Sequence, residues 1–233
     1  MSRSASIVEI FYLGVISLSK YFFIPLLVLT TSVCAANTIE LDGNLTESIW
    51  QNATTYQDFY KVKPATLTMD NNLVEAKVLT NADGIYIGII NNQSIEQRKK
   101  QYNLQDAFIQ ADANTVVIDF AGDGSGAYLF SLGLGGGIKD AVLTPQLTTD
   151  FDWDGAWQYG IHEDEDFWSS EIFIPWHSVS FRAKANEQGN STIGVSIELL
   201  DLAKNHTYSS QPQTTSHSDY FLNMPKIKAK TPS

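Results

Sequence analysis

The chain holds one cysteine, Cys34, in 233 residues. A single cysteine excludes an internal disulfide and any cysteine-based zinc cluster. No Cys-x-x-Cys-His occurs, so covalently attached haem is excluded too. Basic residues are few: 15 Lys and Arg stand against 26 Asp and Glu, a net charge of −11. No basic patch stands out, which argues against a nucleic-acid partner. Surplus acid also repels phosphate and anionic lipid. Charged residues make up only 18% and aromatics reach 12%, a balance that speaks against wholesale disorder. There is no Gly-x-Ser-x-Gly elbow, and His162, His177, His206 and His217 show no metal-ligand spacing. Helical periodicity is nearly missing. Its one candidate is Leu45–Ala53, after the Asp42-Gly43 turn, with Asn44 or Thr46 as N-cap.

Residues 1–36 read as an export signal. Arg3 and Lys20 supply positive charge, the apolar run Tyr21–Leu29 follows, and Thr30–Ala36 turns small and polar. Val33-Cys34-Ala35 and Cys34-Ala35-Ala36 both suit a signal peptidase, so cleavage is expected after Ala36 or one residue earlier. Tyr21–Val33 is short for a membrane span; a retained anchor is the alternative. A second alternative is lipid anchoring through Cys34, preceded by Thr31-Ser32-Val33. The reading is an exported protein, periplasmic or secreted.

What is abundant is short alternation. Val74, Ala76 and Val78 alternate with Glu75 and Lys77; Asn81-Ala82-Asp83-Gly84 turns the chain; Ile85, Ile87 and Ile89 resume the pattern. Val116–Phe120, Tyr128–Leu134 and Ile138–Leu143 follow, separated by glycine-rich turns. Trp157–His162, Trp168–Ile174 and Ile193–Leu199 continue, with Val195 expected deep in the core. Phe221–Ile227 is expected as an edge strand, since Pro225 is tolerable only at an edge. This predicts one all-β domain over 37–233: an antiparallel β-sandwich of jelly-roll or immunoglobulin-like type, with one short N-terminal helix. Asn92–Ala111 is the least regular stretch and is expected at one end of the sandwich.

Several motifs then resemble one family. They are Ile39-Glu-Leu-Asp-Gly43 with Asn44-Leu-Thr-Glu-Ser-Ile-Trp50, Asp83-Gly-Ile-Tyr-Ile-Gly88 and Asp112-Ala-Asn-Thr-Val-Val-Ile-Asp119. Asp152-Trp-Asp-Gly-Ala-Trp157 and Trp168-Ser-Ser-Glu-Ile-Phe-Ile-Pro-Trp176 complete the set. In order and spacing they resemble family 9 carbohydrate-binding modules over residues 39–200. The resemblance implies a sandwich that binds the ends of sugar chains, often with structural calcium, and takes part in carbohydrate catabolism. In one branch of the family the module belongs to an outer-membrane protein, so an outer-membrane or cell-surface partner is a further expectation. The sugar-binding branch clamps a pyranose between two tryptophans. The matching positions here are Ile109 and the region of Thr207-Tyr208, where Tyr208 is the nearest aromatic.

Sugar rings present an apolar C–H face to aromatics, while polar side chains bind their hydroxyls. Trp50 and Trp168 fall in phase with apolar neighbours and are expected in the core. Trp153 lies in an acidic loop; Tyr208 and Tyr102 are placed in loops; Arg98 stands in the irregular stretch. These four are the candidate sugar-binding residues. Asp150-x-Asp152-x-Asp154-Gly155 copies the opening of a calcium loop, although its twelfth position is Ile161. Asp150, Asp152 and Asp154 are therefore the candidate calcium ligands, with a solvated acidic loop as the alternative. Many carboxylates are present, but nothing in the sequence sets a catalytic pair across a cleft, and the reading is a protein that is not an enzyme. Two rivals remain: an interaction domain that binds no sugar, and a haem-binding sandwich using Met69 and His177.

Overall fold

A computed structural model describes residues 39–105, 107, 109–146, 148–180, 186, 190–212 and 219–230. All belong to the compact unit Asn37–Ser233. The segment read as an export signal, with Cys34, lies outside the described residues. No helix among the described residues is long and apolar enough to cross a membrane.

The alternating stretches become two antiparallel sheets. Sheet A runs, in spatial order, β1 (Thr54–Tyr56), β3 (Val74–Thr80), β4 (Gly84–Asn91), β10 (Trp168–Pro175) and β9 (Gln158–Glu163). Sheet B runs β2 (Tyr60–Lys63), β12 (His206–Ser209), β11 (Asn190–Asp201), β5 (Ala113–Asp119), β6 (Ala127–Gly133), β7 (Ile138–Leu143) and β8 (Thr149–Asp150). A last strand, β13 (Lys226–Lys230), pairs with the start of β11. It begins after Pro225; Phe221–Pro225 forms turns instead of the expected strand. Proline has no N–H to offer a ladder, so the strand starts where donors resume.

The two sheets share one core. Ile85, Ile87 and Ile89 of sheet A meet Val116, Ile118 and Ile197 of sheet B there, all 0% exposed. Val195 is likewise fully buried, as its phase requires. Each such side chain stabilises the fold by about 1.5–3 kcal/mol. Trp50 and Trp168 are buried as expected. A hydrogen bond from Asn114 Nδ2 to Ser170 Oγ, 2.9 Å, ties the sheets together inside.

Turns are set by short polar side chains. Asn81 Oδ1 accepts from the N–H of Asp83 and Gly84, closing the β3–β4 hairpin. After β5, Asp119 accepts the N–H groups of Ala121, Gly122 and Gly124, while both glycines take positive φ. At the strand's other end, Asp112 accepts from Lys99 and Leu202 N–H. The two aspartates that frame this motif therefore pin loops at opposite ends of β5. Burial pushes the Asp112 carboxyl upward.

The expected helix at Leu45–Ala53 shrinks to a single 3₁₀ segment, Ser48–Asn52. The reason lies in what surrounds it. Residues 41–50 run across the outer face of sheet A, clamped by backbone and side-chain bonds that leave no room for a longer helix. Glu171 of β10, 0% exposed, accepts from Asp42 N–H at 3.1 Å, Gly43 N–H at 2.9 Å and the Trp50 indole N–H at 3.2 Å. Ser169 Oγ donates to Gly43 O at 2.6 Å. The crossing needs notches: a Cβ on Gly160 would stand 2.4 Å from Leu41 O, and one on Gly88 2.3 Å from Leu45 Cδ2.

Candidate functional site

The irregular stretch Asn92–Ala111 lies at one end of the sandwich, as expected. Among its described residues the one regular piece is a 3₁₀ turn, Ile95–Gln97. Leu104 and Tyr102 are large hydrophobic residues left exposed there, at 72% and 71%. Residues 101–103 lie flat on the Gly135-Gly136-Gly137 turn that follows β6. A Cβ on Gly135 would stand 2.6 Å from Gln101 O, and one on Gly137 2.9 Å from Asn103 Cβ. Only glycine allows this approach, and Gly135 and Gly136 also take positive φ.

The same turn receives an aromatic side chain from sheet A. Tyr159 of β9, 36% exposed, donates its hydroxyl to Gly136 O at 3.0 Å. A third contact joins the rim, where Gln105 Nε2 donates to Asp154 Oδ1 at 3.0 Å. The backbone of residues 101–103 and the Tyr159 hydroxyl thus meet at one glycine turn, and the Gln105–Asp154 bond ties the same irregular stretch to the loop ahead of β9.

Behind the rim a chain of rings leads into the core. Tyr159 touches Trp157 at 5.8 Å between centroids, Trp157 touches Phe130 at 5.7 Å, Phe130 touches Trp153 at 5.9 Å, and Trp153 touches Tyr128 at 4.8 Å. Asp140 holds this seam, accepting from Gly155 N–H and the Trp157 indole, both at 2.9 Å.

The sequence candidates separate accordingly. Tyr102 is exposed as expected. Trp153 is half-buried against the core and is not the free ring its acidic neighbours suggested, because Tyr128 and Phe130 offer it an apolar bed. Tyr208 is not in a loop. It sits in β12 opposite Leu199, so the strand's pleat turns it into the core at 8% exposure. There its hydroxyl meets His206 Nδ1 at 3.2 Å, and burial raises its pKa. Arg98 is not a surface cation. It is 8% exposed, donates from Nε to Gln93 O at 2.8 Å, and lies 3.8 Å from the Glu163 carboxylate, which Lys100 also pairs. Both are structural positions in this chain.

Asp150, Asp152 and Asp154 are exposed and face separate tasks. Asp150 Oδ1 caps the N–H of Asp152, and Asp154 binds Gln105. Among the described residues no three of His, Cys, Asp and Glu gather to hold a metal ion. The aspartate triplet therefore does not fit calcium. Met69 and His177, the haem candidates, are both exposed and lie on separate elements.

At the clamp positions, Ile109 is buried with Ala111 and Ala113, against Leu200. Leu200 pairs with Thr207. Small apolar packing therefore fills the place where the sugar-binding branch carries tryptophans. Sequence reasoning missed Tyr159, Gln105 and Leu104. Tyr159 carried no local signal: it falls in phase with Trp157 and Ile161 and pairs with buried Ile172, so from sequence it reads as a core-facing ring.

Comparison with known structures settles the architecture. A family 9 carbohydrate-binding module from Caldicellulosiruptor kristjanssonii, in complex with cellotriose, matches with a TM-score of 0.54 over 84% of this chain and 91% of its own, at 14% identity. The fold is that of family 9 carbohydrate-binding modules. The same module in complex with glucose matches equally, over 93% of its length. A candidate carbohydrate-binding protein from Bacteroides uniformis matches this module fold at a TM-score of 0.57 and 10% identity, covering 77% of this chain and 87% of its own. No family model and no curated protein matches the sequence.

Proposed function

We propose that this domain is a non-catalytic carbohydrate-binding module that takes oligosaccharide at the rim formed by Tyr102, Tyr159 and the Gln105–Asp154 pair. One observation carries the reading: two accessible tyrosines, Tyr102 in the segment seated on the glycine turn and Tyr159 bonded to that turn, occur together with a hydrogen-bonded amide and carboxylate. Rings receive the C–H face of a pyranose, and the amide and carboxylate receive its hydroxyls. The fold shared with modules seen holding cellotriose and glucose supports it.

One or two stacked rings with a few hydrogen bonds give micromolar to millimolar affinity, roughly −4 to −8 kcal/mol. Binding of neutral sugar persists at moderate salt. Calorimetry against cellotriose and against xylan and galactan oligosaccharides tests the reading. Tyr102→Ala is expected to weaken binding about tenfold, the equivalent of 1.4 kcal/mol. No heat from any of them at millimolar concentration overturns it and leaves an interaction domain in its place.

We also propose export directed by residues 1–36, on the strength of the charged start, apolar run and small-residue exit. Mass spectrometry of the exported protein is expected to find Ala36 or Asn37 at the N-terminus. An intact Met1 on a cytoplasmic form overturns it.

A further inference from the structure

The outer face of sheet A is divided between two treatments. Residues 41–50 cover one half, seated on Gly88, Gly160 and Glu171. The other half lies toward the β3–β4 hairpin and carries a row across four strands. Leu79 of β3 pairs with Tyr86 of β4, Tyr86 with Phe173 of β10, and Phe173 with Gln158 of β9. The rings of Tyr86 and Phe173 stack at 4.4 Å with 25° between planes. Solvent-side positions of an antiparallel sheet are ordinarily polar. Two stacked aromatics there need a reason.

The reason is a cleft. A cavity of about 680 Å³ opens beside the row, lined by Phe173, Pro175 and Trp176 with Gln158, Asp83 and His177. Its size falls within the range of small-ligand sites, roughly 300–1,000 Å³. Gln158, Asp83 and His177 are exposed and offer an amide, a carboxylate and an imidazole to the cavity. Among the described residues no Lys or Arg lines it. Within that lining an anionic ligand would meet the Asp83 carboxylate with no cation to offset it, whereas a neutral polyol needs none. A carboxylate and an amide accept and donate to vicinal hydroxyls, and the phenyl ring offers a face to C–H groups.

The cleft and the rim open on opposite faces of sheet A. Gln158 of β9 pairs with Phe173 and lines the cleft on the outer face, while the next residue, Tyr159, pairs with Ile172 and turns the other way, toward Gly136. The cleft also takes Asp83 from the β3–β4 hairpin and His177 from the turn after β10, which the rim does not use.

We infer that the cleft over Phe173 is a second saccharide-binding site, for a neutral pyranose, making the domain bivalent for sugar. This rests on the carbohydrate reading proposed above for the rim. Two weak sites on one rigid body hold a polysaccharide more tightly than either alone, through effective concentration.

The test is a titration of ¹⁵N-labelled protein with cellotriose and with xylan and galactan oligosaccharides, following amide shifts. Two groups of signals are expected to move: Asp83 and His177 at the cleft, and Tyr102 and Gly136 at the rim. In an Asp83→Ala/His177→Ala variant, both changes being at exposed positions outside the rim, the affinity read at the cleft is expected to fall at least about fivefold. The rim affinity is expected to stay. Tyr102→Ala is expected to do the reverse. Movement at the rim alone, or cleft shifts indifferent to the double variant, overturns the second site and leaves the carbohydrate reading standing. Shifts at the cleft alone support this site and overturn the rim. No shift at either site overturns both.

Discussion

The two halves of sheet A's outer face are made by the same strands with the same pleat, yet one is sealed and the other open. On the sealed half the residues that seat the covering segment are Gly88, Gly160, Ser169 and Glu171. Three of these four are small, and the fourth is a carboxylate with three donors brought to it. On the open half the outward positions are Leu79, Tyr86, Phe173 and Gln158. Missing side chains admit a covering backbone; large rings exclude one and remain accessible themselves. Two residues along a strand separate the treatments. The difference between the covered half and the open half is here a matter of side-chain volume.

The sealed half can be broken at one residue. Glu171→Ala leaves the N–H groups of Asp42 and Gly43 and the Trp50 indole without their acceptor. At about 1–3 kcal/mol for each buried unpaired donor, a loss of about 4 kcal/mol is expected in urea unfolding at pH 5. A loss below 1 kcal/mol would show that the segment is held by its apolar contacts alone.

The same carboxylate sharpens the comparison through pH. Burial, its largest influence, pushes the Glu171 carboxyl up from 4.5 to about 7, against the pull of the Gly43 N–H. Between those values the folded protein binds more protons than the unfolded chain. This group's contribution is therefore fully present below about pH 4.5 and is lost as pH rises through about 7. The loss amounts to about 3 kcal/mol. Glu171→Gln is expected to flatten the stability profile between pH 5 and 8. A profile as steep as that of the parent protein places the titrating group elsewhere.

The open half is expected to yield far less. Phe173→Ala removes a half-buried ring stacked on Tyr86, at a cost of about 1 kcal/mol. Tyr102→Ala, at the rim, is expected to leave stability within about 0.5 kcal/mol while weakening sugar binding. Thermal melts beside the calorimetry distinguish these cases. A large loss of stability from either would turn an accessible ring into a structural one.

Much of the architecture is legible because period-two alternation is local. Val74–Val78, Ile85–Ile89 and Ile193–Leu199 announce strands and faces from neighbours alone, and all three are strands with the expected side inward. Trp50 and Trp168 are placed by the same logic. The failures come where meaning depends on distance in sequence. Glu171 meets its donors 121 to 129 residues away, and nothing near Glu171 hints at them. Tyr208 looks like a loop residue because β12 has four residues and no room to alternate. Arg98 looks like a surface cation because the backbone carbonyl and carboxylate that bury it come from Gln93 and Glu163. The cleft is invisible for the same reason. Its row is assembled by pairing across four strands, and each residue, read alone, is one aromatic or amide in an ordinary alternating run.

The clamp on residues 41–50 also has a mechanical side. A pull on the chain ahead of Leu41 would not peel away an edge strand. Its load would enter through Asp42 and Gly43 into Glu171 and Ser169, both in β10. That strand is flanked by β4 along eight paired positions and by β9 along six. Tension would thus be delivered to a strand paired along both edges, and both ladders would have to shear before the sandwich gave way.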